Sequence, residues 1–518
     1  MPSQQQRELD EAFERHETVR EPSRVLIITH EPLRQNLSGP GVRALEMART
    51  LGATHVVTLA TPFQPEIAED RCTLARYSFD RPESLRTLAE GAGVLIVQGF
   101  TLSQFPFLAA LQIPIVVDLY CPFTIEHLQM ITSRPGVAGA FAASGHAGVA
   151  TATLNVGAIE ADAAGVLTVQ NTQLVLGDFF ICASERQRDF WIGALHSAGR
   201  INPRTYAADP TLRSLIDVVP FGLSDERLDH QQPGCVLKGV RPGIRTGDYV
   251  LLWAGSILDW QDPQTLVRAV ASIAARRGDV KLFFMGTRHP NPTVPPMRAV
   301  EESVALARDL GVLDTHVFFN DWVPYTDRWR YLIEADLGLS THRNHLETRL
   351  SFRTRMLDYL WAGLPIVCTE GDVFASLVAD RGLGRVVQPG DAEALASAIE
   401  QLIDDQDERA RCRQRLLEVA EEFRWCRVVG PLARFCDAPR LAPDRASAQR
   451  AHHVRLAGSF RLARWVKRRA LAMGVSQARL DHAKGLRPVR LAIGWVSRLA
   501  MAFARTDVAT PPPRSEKP

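Results

Sequence analysis

The sequence predicts an α/β fold of two doubly wound parallel-sheet units joined by a connector and followed by a basic helical tail. Three observations carry this. Short, continuous apolar runs recur, each followed by a Gly- or Ser-bearing turn and a stretch of helical period, as expected of strands buried on both faces. That alternation is played twice, once before residue 223 and again from residue 248. Between them, 224–247 is rich in Pro, Gly and polar residues and reads as a linker.

Length and composition agree. A chain of 518 residues can bury two cores and still carry extensions. Its 46% hydrophobic and 23% charged content is ordinary for a globular protein. The formal charge of +2 hides an asymmetry: 440–518 holds 17 Lys/Arg against 4 Asp/Glu, a net of +13, which leaves −11 on the rest. The eight cysteines show neither CxxC pairs nor zinc spacing and read as reduced thiols of a cytoplasmic protein. The start, MPSQQQRELDEAFERHE, has no apolar core of a signal peptide. No uncharged apolar run approaches the roughly 20 residues of a membrane span. A soluble or peripheral protein is expected.

The elements follow in order. Residues 1–22 are a charged leader, and 23–223 make the first unit. The run 25–29 (VLIIT) is its first strand, and 44–51 has helical period. Between them Gly39 and Gly41, lacking Cβ, let backbone amides approach a phosphate; a tight turn would use them equally well. Strands follow at 56–59, 94–97 and 113–117. Ligands of such sheets bind at the carboxyl ends of strands, so Gln98, Gly99 and the run from Asp118 through Tyr120 to Pro122 should face the cleft. Residues 132–165, rich in Ala, Gly and Val, read as an irregular insertion. A further strand near 177–183 ends at Ser184, which caps a helix over 187–195.

The second unit spans 248–423, with strands at 249–255, 280–285, 316–320, 335–339 and 385–387 and helices at 263–276 and 298–310. Its most informative stretch is 339–367. A helix is predicted over 352–362, with Ser351 as N-cap, Gly363 in the left-handed position after its end and Pro365 forbidding continuation. Phe352, Met356 and Leu360 share its apolar face, while Ser351, Thr354, Arg355 and Asp358 share a polar one. A helix start after a strand end favours anions. A solvated Arg/Asp face is the competing reading.

The run from Asp358 to Val367 (DYLWAGLPIV) resembles the second half of the nucleotide-sugar motif of the group 1 glycosyl transferases, family four of the GT-B class. That motif places two Glu eight residues apart. Asp358 stands where the second Glu binds the ribose. Eight residues earlier is Leu350, so Glu347, eleven before, is the candidate sugar-contacting carboxylate. The resemblance runs from about 24 to 436 and is strongest across 249–400. It includes GPGVR at 39–43, near the donor diphosphate in that family, the turn VPFGL at 219–223 and the helix start GDAEAL at 390–395. It implies two Rossmann-like domains facing a cleft.

The resemblance also assigns roles. The family clamps the diphosphate with Arg and Lys after the second domain's first strand; here Gly255 and Ser256 lead into ILDWQ, which has neither. Charge must then come from elsewhere, from Arg353 or Arg355 first and Arg288 second. The competing reading pairs these arginines with Glu347, Asp358 or solvent. Trp322 and Val323 lie in the loop that cups the base, and Ser351 and Phe352 open the site helix. The family's His-Asp pair on the acceptor side is replaced by Tyr120 and Cys121, which leaves Asp118 or Tyr120 to line that pocket or to hold a turn.

The function so implied is a retaining, metal-independent hexosyl-type transferase. It takes a nucleotide diphosphate sugar as donor, needs no cofactor and serves polysaccharide, glycolipid or cell-envelope glycan synthesis. A GT-B binding or scaffold protein without turnover is the alternative, and a sugar-nucleotide epimerase a third. No Gly-x-Gly-x-x-Gly follows either first strand, against an oxidoreductase. In 424–439, Trp425, Val428, Val429, Leu432 and Phe435 form a stripe that, by the same resemblance, crosses back to the first domain. Beyond 440, basic amphipathic patterns at 461–473 and 488–505 suit an anionic membrane surface at the inner face of the membrane, or the protein body or a partner protein. No nucleic-acid motif accompanies the charge.

Overall fold

The computed structural model describes residues 23–134, 136–137, 156–229, 231, 234–292 and 294–448. Two sheets organise them. The first contains β1 (Arg24–Ile28), β2 (Val56–Thr61), β3 (Thr73–Arg76), β4 (Val94–Val97), β5 (Ile115–Asp118), β6 (Phe179–Cys182) and β7 (Ile216–Val218), in the order β3-β2-β1-β4-β5-β6-β7. The second contains β8 (Tyr249–Ser256), β9 (Val280–Gly286), β10 (Val317–Phe319), β11 (Leu337–Ser340), β12 (Ile366–Thr369) and β13 (Gly384–Val387), in the order β10-β9-β8-β11-β12-β13. Every strand pair among them is parallel.

The continuous apolar runs have a direct cause. In β1, Val25 and Ile27 enter the core on one face while Leu26 and Ile28 enter the core on the other. In β8, Val250, Leu252 and Ala254 face one core, Leu251 and Trp253 the opposite one. Both faces are covered, so no polar alternation is needed. β1 sits between β2 and β4, and β8 between β9 and β11, so each sheet reverses its winding there and opens a crevice at those strands' carboxyl ends.

Three expectations change. The helix read over 352–362 is Arg355–Ala362, with Thr354 at its N-cap position making no side-chain cap bond. Ser351 instead ends the short Leu346–Leu350 helix, and its hydroxyl donates to the Thr348 carbonyl at 2.9 Å. Gly363 does take the left-handed end, at φ 60° and ψ 37°. The glycines of 39–41 form the first turn of the Gly39–Leu51 helix rather than a loop before it, with Ser38 as N-cap accepting from the Gly41 amide. Part of the supposed irregular insertion is helix Val156–Leu176. It turns polar residues inward: Gln170 accepts from the Thr124 hydroxyl at 2.7 Å and the Gln173 amide reaches the Gly99 carbonyl. Its buried residues, Gln170, Thr172, Gln173, Leu174 and Leu176, mix polar with apolar side chains and leave no clear apolar period to read.

The connector has no strand or helix among its described residues. It is fixed by the Glu334 carboxylate, which accepts from the amides of Val236, Leu237 and Lys238 at 3.0, 2.8 and 2.8 Å. The returning stripe lies on the first domain as helices Trp425–Val428 and Gly430–Asp437, with Phe435 stacked on Phe179 at 4.8 Å. Gly222 lets the Trp425 indole approach, since a Cβ there would lie 2.6 Å from it. The described start of the tail also docks: Asp444 pairs with buried Arg200 at 2.9 Å and Arg445 with Asp178. The leader, residues 138–155 of the insertion and the amphipathic patterns at 461–473 and 488–505 lie outside the described residues. No helix among the described residues is long and apolar enough to cross a membrane.

Candidate functional site

The crevices of the two sheets face each other and enclose a cavity of about 140 Å³. The first domain contributes Leu37, Gly39, Val42 and the turn residues Phe221, Gly222 and Leu223. From the second come Gly255 and Ser256 at the end of β8, Met285 and Gly286 at the end of β9, and Trp322 and Val323 after β10. Tyr325, Arg328, Thr354, Leu357 and Asp358 complete the wall. Strand ends and the helix after β11 thus converge, as the doubly wound topology requires. The Trp322 indole fits only because Gly286 has no side chain; a Cβ there would meet the ring at 2.6 Å.

Six residues singled out in the sequence line this cavity together: Gly39, Gly255, Ser256, Trp322, Val323 and Asp358. The others lie elsewhere. Gly41 is buried in the helix turn behind Gly39. Arg288 is exposed after β9, its amide donating to the Asp321 carbonyl at 3.0 Å. Arg353 is buried and bidentate to Glu347, at 2.8 and 2.7 Å, so each neutralises the other. Arg355 points back into its own domain, donating to the Ala254 and Ser256 carbonyls at 3.0 and 2.7 Å with its guanidinium 4.0 Å over the Trp253 ring. Burial there pulls its pKa down to about 10. Phe352 stacks on Phe221 at 5.8 Å across the domain seam. Arg353 takes the expected pairing with Glu347, whereas Arg355 pairs with neither Glu347 nor Asp358 but with the Ala254 and Ser256 carbonyls and the Gln261 Oε1.

The first domain's named residues are also engaged. Asp118 is fully buried at the end of β5 and accepts from Arg43 at 2.8 Å through both oxygens and from the Gln98 amide at 2.8 Å. It holds the Gly39–Leu51 helix to the sheet rather than lining a pocket. Tyr120 is half-buried, edge-on to Phe221 at 5.8 Å, and burial pushes its hydroxyl well above its ordinary value. Across the seam from Glu347, burial together with that carboxylate pushes Glu126 up to about 7.

Sequence reasoning missed Arg328. It begins the Arg328–Glu334 helix, and its Nε lies 3.3 Å from Asp358 Oδ1. The signal available was the dense aromatic and Arg run YTDRWR at 325–330, directly after the loop that holds Trp322 and Val323. Burial raises the Asp358 carboxyl while Arg328 and Arg355 draw it down, the balance remaining above its ordinary value. Tyr325 and Arg328 also line a second cavity of about 890 Å³ that continues outward between the domains. Tyr325 bonds to Glu46 of the first domain at 3.1 Å. Among the described residues, no group of three or more His, Cys, Asp or Glu is placed to hold a metal ion.

Comparison with known proteins agrees with this geometry. Residues 248–405 match the family described as glycosyl transferases group 1. The chain is 26% identical to the D-inositol 3-phosphate glycosyltransferase of Corynebacterium diphtheriae over 43% of this chain and 49% of that one. It is 26% identical to the protein of the same name from Stackebrandtia nassauensis over 47% of this chain and 54% of that one. The chain spans about half the length of the curated relatives it matches. Among solved structures, Anabaena HepE in complex with UDP and glucose aligns with a TM-score of 0.57 at 12% identity, covering 80% of this chain and 100% of that one. WaaG, a glycosyltransferase of lipopolysaccharide biosynthesis, aligns with a TM-score of 0.53 at 15% identity and the same coverage. The fold is therefore GT-B, and the stretch matched by the glycosyl transferases group 1 family lies within its second domain.

Proposed function

We propose that this protein is a glycosyltransferase that moves a sugar from a nucleotide diphosphate sugar to an acceptor hydroxyl. The observation that carries it is the narrow cavity at the two facing switch points, where Trp322, the Asp358 carboxylate and the strand ends at Gly255 and Ser256 meet. In this reading Trp322 and Val323 face the base and Asp358 takes the ribose. The diphosphate lies at Gly255 and Ser256, with Gly39 opposite. Gly39 opens a helix whose first-turn amides favour negative charge. Arg353 and Glu347 satisfy each other and are given no donor contact.

Among the described residues lining the cavity there is no His or Glu, and the one carboxylate is Asp358. A retaining course without a protein base, in which a departing phosphate oxygen takes the acceptor proton, is consistent with that lining. The UDP and glucose bound by HepE make a UDP-sugar the first donor to try. The relatives' name makes a phosphorylated inositol the first acceptor. Polysaccharide, glycolipid and cell-envelope glycans remain the wider acceptor classes, with vesicle binding by 449–518 as the test of a membrane setting.

The test is turnover. The purified chain, given UDP-, GDP-, ADP- and dTDP-sugars with an acceptor panel, should release one nucleoside diphosphate and label one acceptor. A second reading, a nucleotide-binding protein without turnover, is favoured by one observation: Arg353 and Arg355 are both spent on protein groups. Tight nucleotide binding with no release from any donor would establish it.

A further inference from the structure

We propose that Arg328 is the anion-recognising residue of the cleft, taking phosphate oxygens of the nucleotide sugar; this rests on the nucleotide-sugar reading above. Arg328 is the only cation among the described residues lining the narrow cavity, and it also lines the wide one, so it is shared by both. Its guanidinium carbon lies 3.9 Å from the centre of the Tyr325 ring and 5.2 Å from that of Trp361. Two aromatic contacts hold the cation in place before any ligand arrives.

What singles it out is how little of its bonding capacity is used. A guanidinium carries five N–H donors. Arg43 spends three on Asp118 and Val219, and Arg355 three on Ala254, Ser256 and Gln261. The Arg328 side chain makes no hydrogen bond to the described residues, and its buried Nε has no partner of hydrogen-bonding geometry. The Asp358 carboxylate, 3.3 Å away, offsets charge without meeting the fork. Unspent donors held beside strand-end backbone match a phosphate, which accepts bidentate bonds from a planar fork. Arg355, by contrast, closes Nε and Nη2 on the oxygens of Ala254, Ser256 and Gln261 and leaves only Nη1 without a partner.

The experiment is calorimetric titration of the full chain with UDP, GDP, ADP and dTDP and with the matching nucleosides, for unaltered protein, Arg328→Met and Arg328→Lys. Met keeps the apolar stem and removes the charge; Lys keeps the charge and removes the fork. Arg328→Met should weaken the bound nucleoside diphosphate about tenfold or more and its nucleoside about twofold or less, and flatten the salt dependence. Arg328→Lys should fall between. Equal losses for diphosphate and nucleoside, or no loss, would overturn the proposal. If Arg328→Met does not fold, the Lys variant decides, since a lost fork should still cost the diphosphate severalfold and the nucleoside nothing. Failure of the unaltered chain to bind any of the four nucleotides would instead overturn the nucleotide-sugar reading itself.

Discussion

The two domains present the same edge to the cleft, the carboxyl ends of parallel strands, yet they use their polar residues differently. On the first domain, Asp118, Arg43 and Gln98 close on one another behind the wall, where no ligand reaches them. On the second, Asp358, Thr354 and Arg328 line the cavity, and the Arg328 side chain makes no hydrogen bond to the described residues. A charged residue at a strand end is therefore not in itself a site residue. What distinguishes the two edges is how far the neighbours engage the group: Arg43 makes three side-chain hydrogen bonds and leaves only Nη1 without one, whereas Arg328 makes none.

The largest expected effect lies on the closed edge. Asp118→Ala leaves Arg43 charged, buried and unpaired, and should lower the unfolding free energy by about 3–5 kcal/mol, read from urea midpoints. A change below about 1 kcal/mol would show that the first domain's edge is as open as the second's. Next comes Arg355→Ala, which deletes a cation stacked on Trp253 and leaves strand-end carbonyls without donors. About 2–3 kcal/mol of stability should be lost. Nucleoside and nucleoside diphosphate should weaken alike, because the residue acts on packing; a loss confined to the diphosphate would return Arg355 to the donor site.

Asp358→Ala sharpens the contrast from the open side. It should weaken nucleoside and nucleoside diphosphate by about tenfold each, through the ribose they share, while changing stability less than Asp118→Ala does. The smallest effect concerns pH at the seam. Glu126, raised to about 7 by burial and by Glu347, stays protonated in the folded chain over a range where the unfolded chain has released its proton. Stability should thus fall as pH rises from the ordinary carboxyl value toward 7, by about 1–2 kcal/mol between pH 5 and 8 because the group keeps partial contact with water. Glu126→Gln should flatten that slope. A slope unchanged in the variant would assign it to other groups.

How much could be read beforehand follows the same division. Most strands of both sheets were legible because strands buried on two faces must be apolar throughout, while short β3, β7 and β12 went unread; the topology then directs Gly39, Gly255, Ser256 and Asp358 toward one crevice. Trp322 and Val323 followed from a resemblance in the loop after β10. The arginines were not legible, because pairing is a tertiary fact. Arg353 meets Glu347 only through the turn that the Leu346–Leu350 helix imposes, and Arg355 meets the end of β8 only once the sheet has formed. Arg328 was missed for the converse reason: nothing in YTDRWR says that its donors stay free. The helix at 156–176 escaped because Gln and Thr are buried along with Leu174 and Leu176 and blur its apolar period.

The central claim is that the narrow cavity between the domains binds a nucleoside diphosphate. A thermal-shift comparison of the unaltered chain with Asp358→Ala, against UDP, GDP, ADP and dTDP, tests it most directly. Selective stabilisation by one nucleotide in the unaltered chain, and little or none in Asp358→Ala, is the predicted result. Stabilisation by none of the four, or by one of them equally in both proteins, would contradict it.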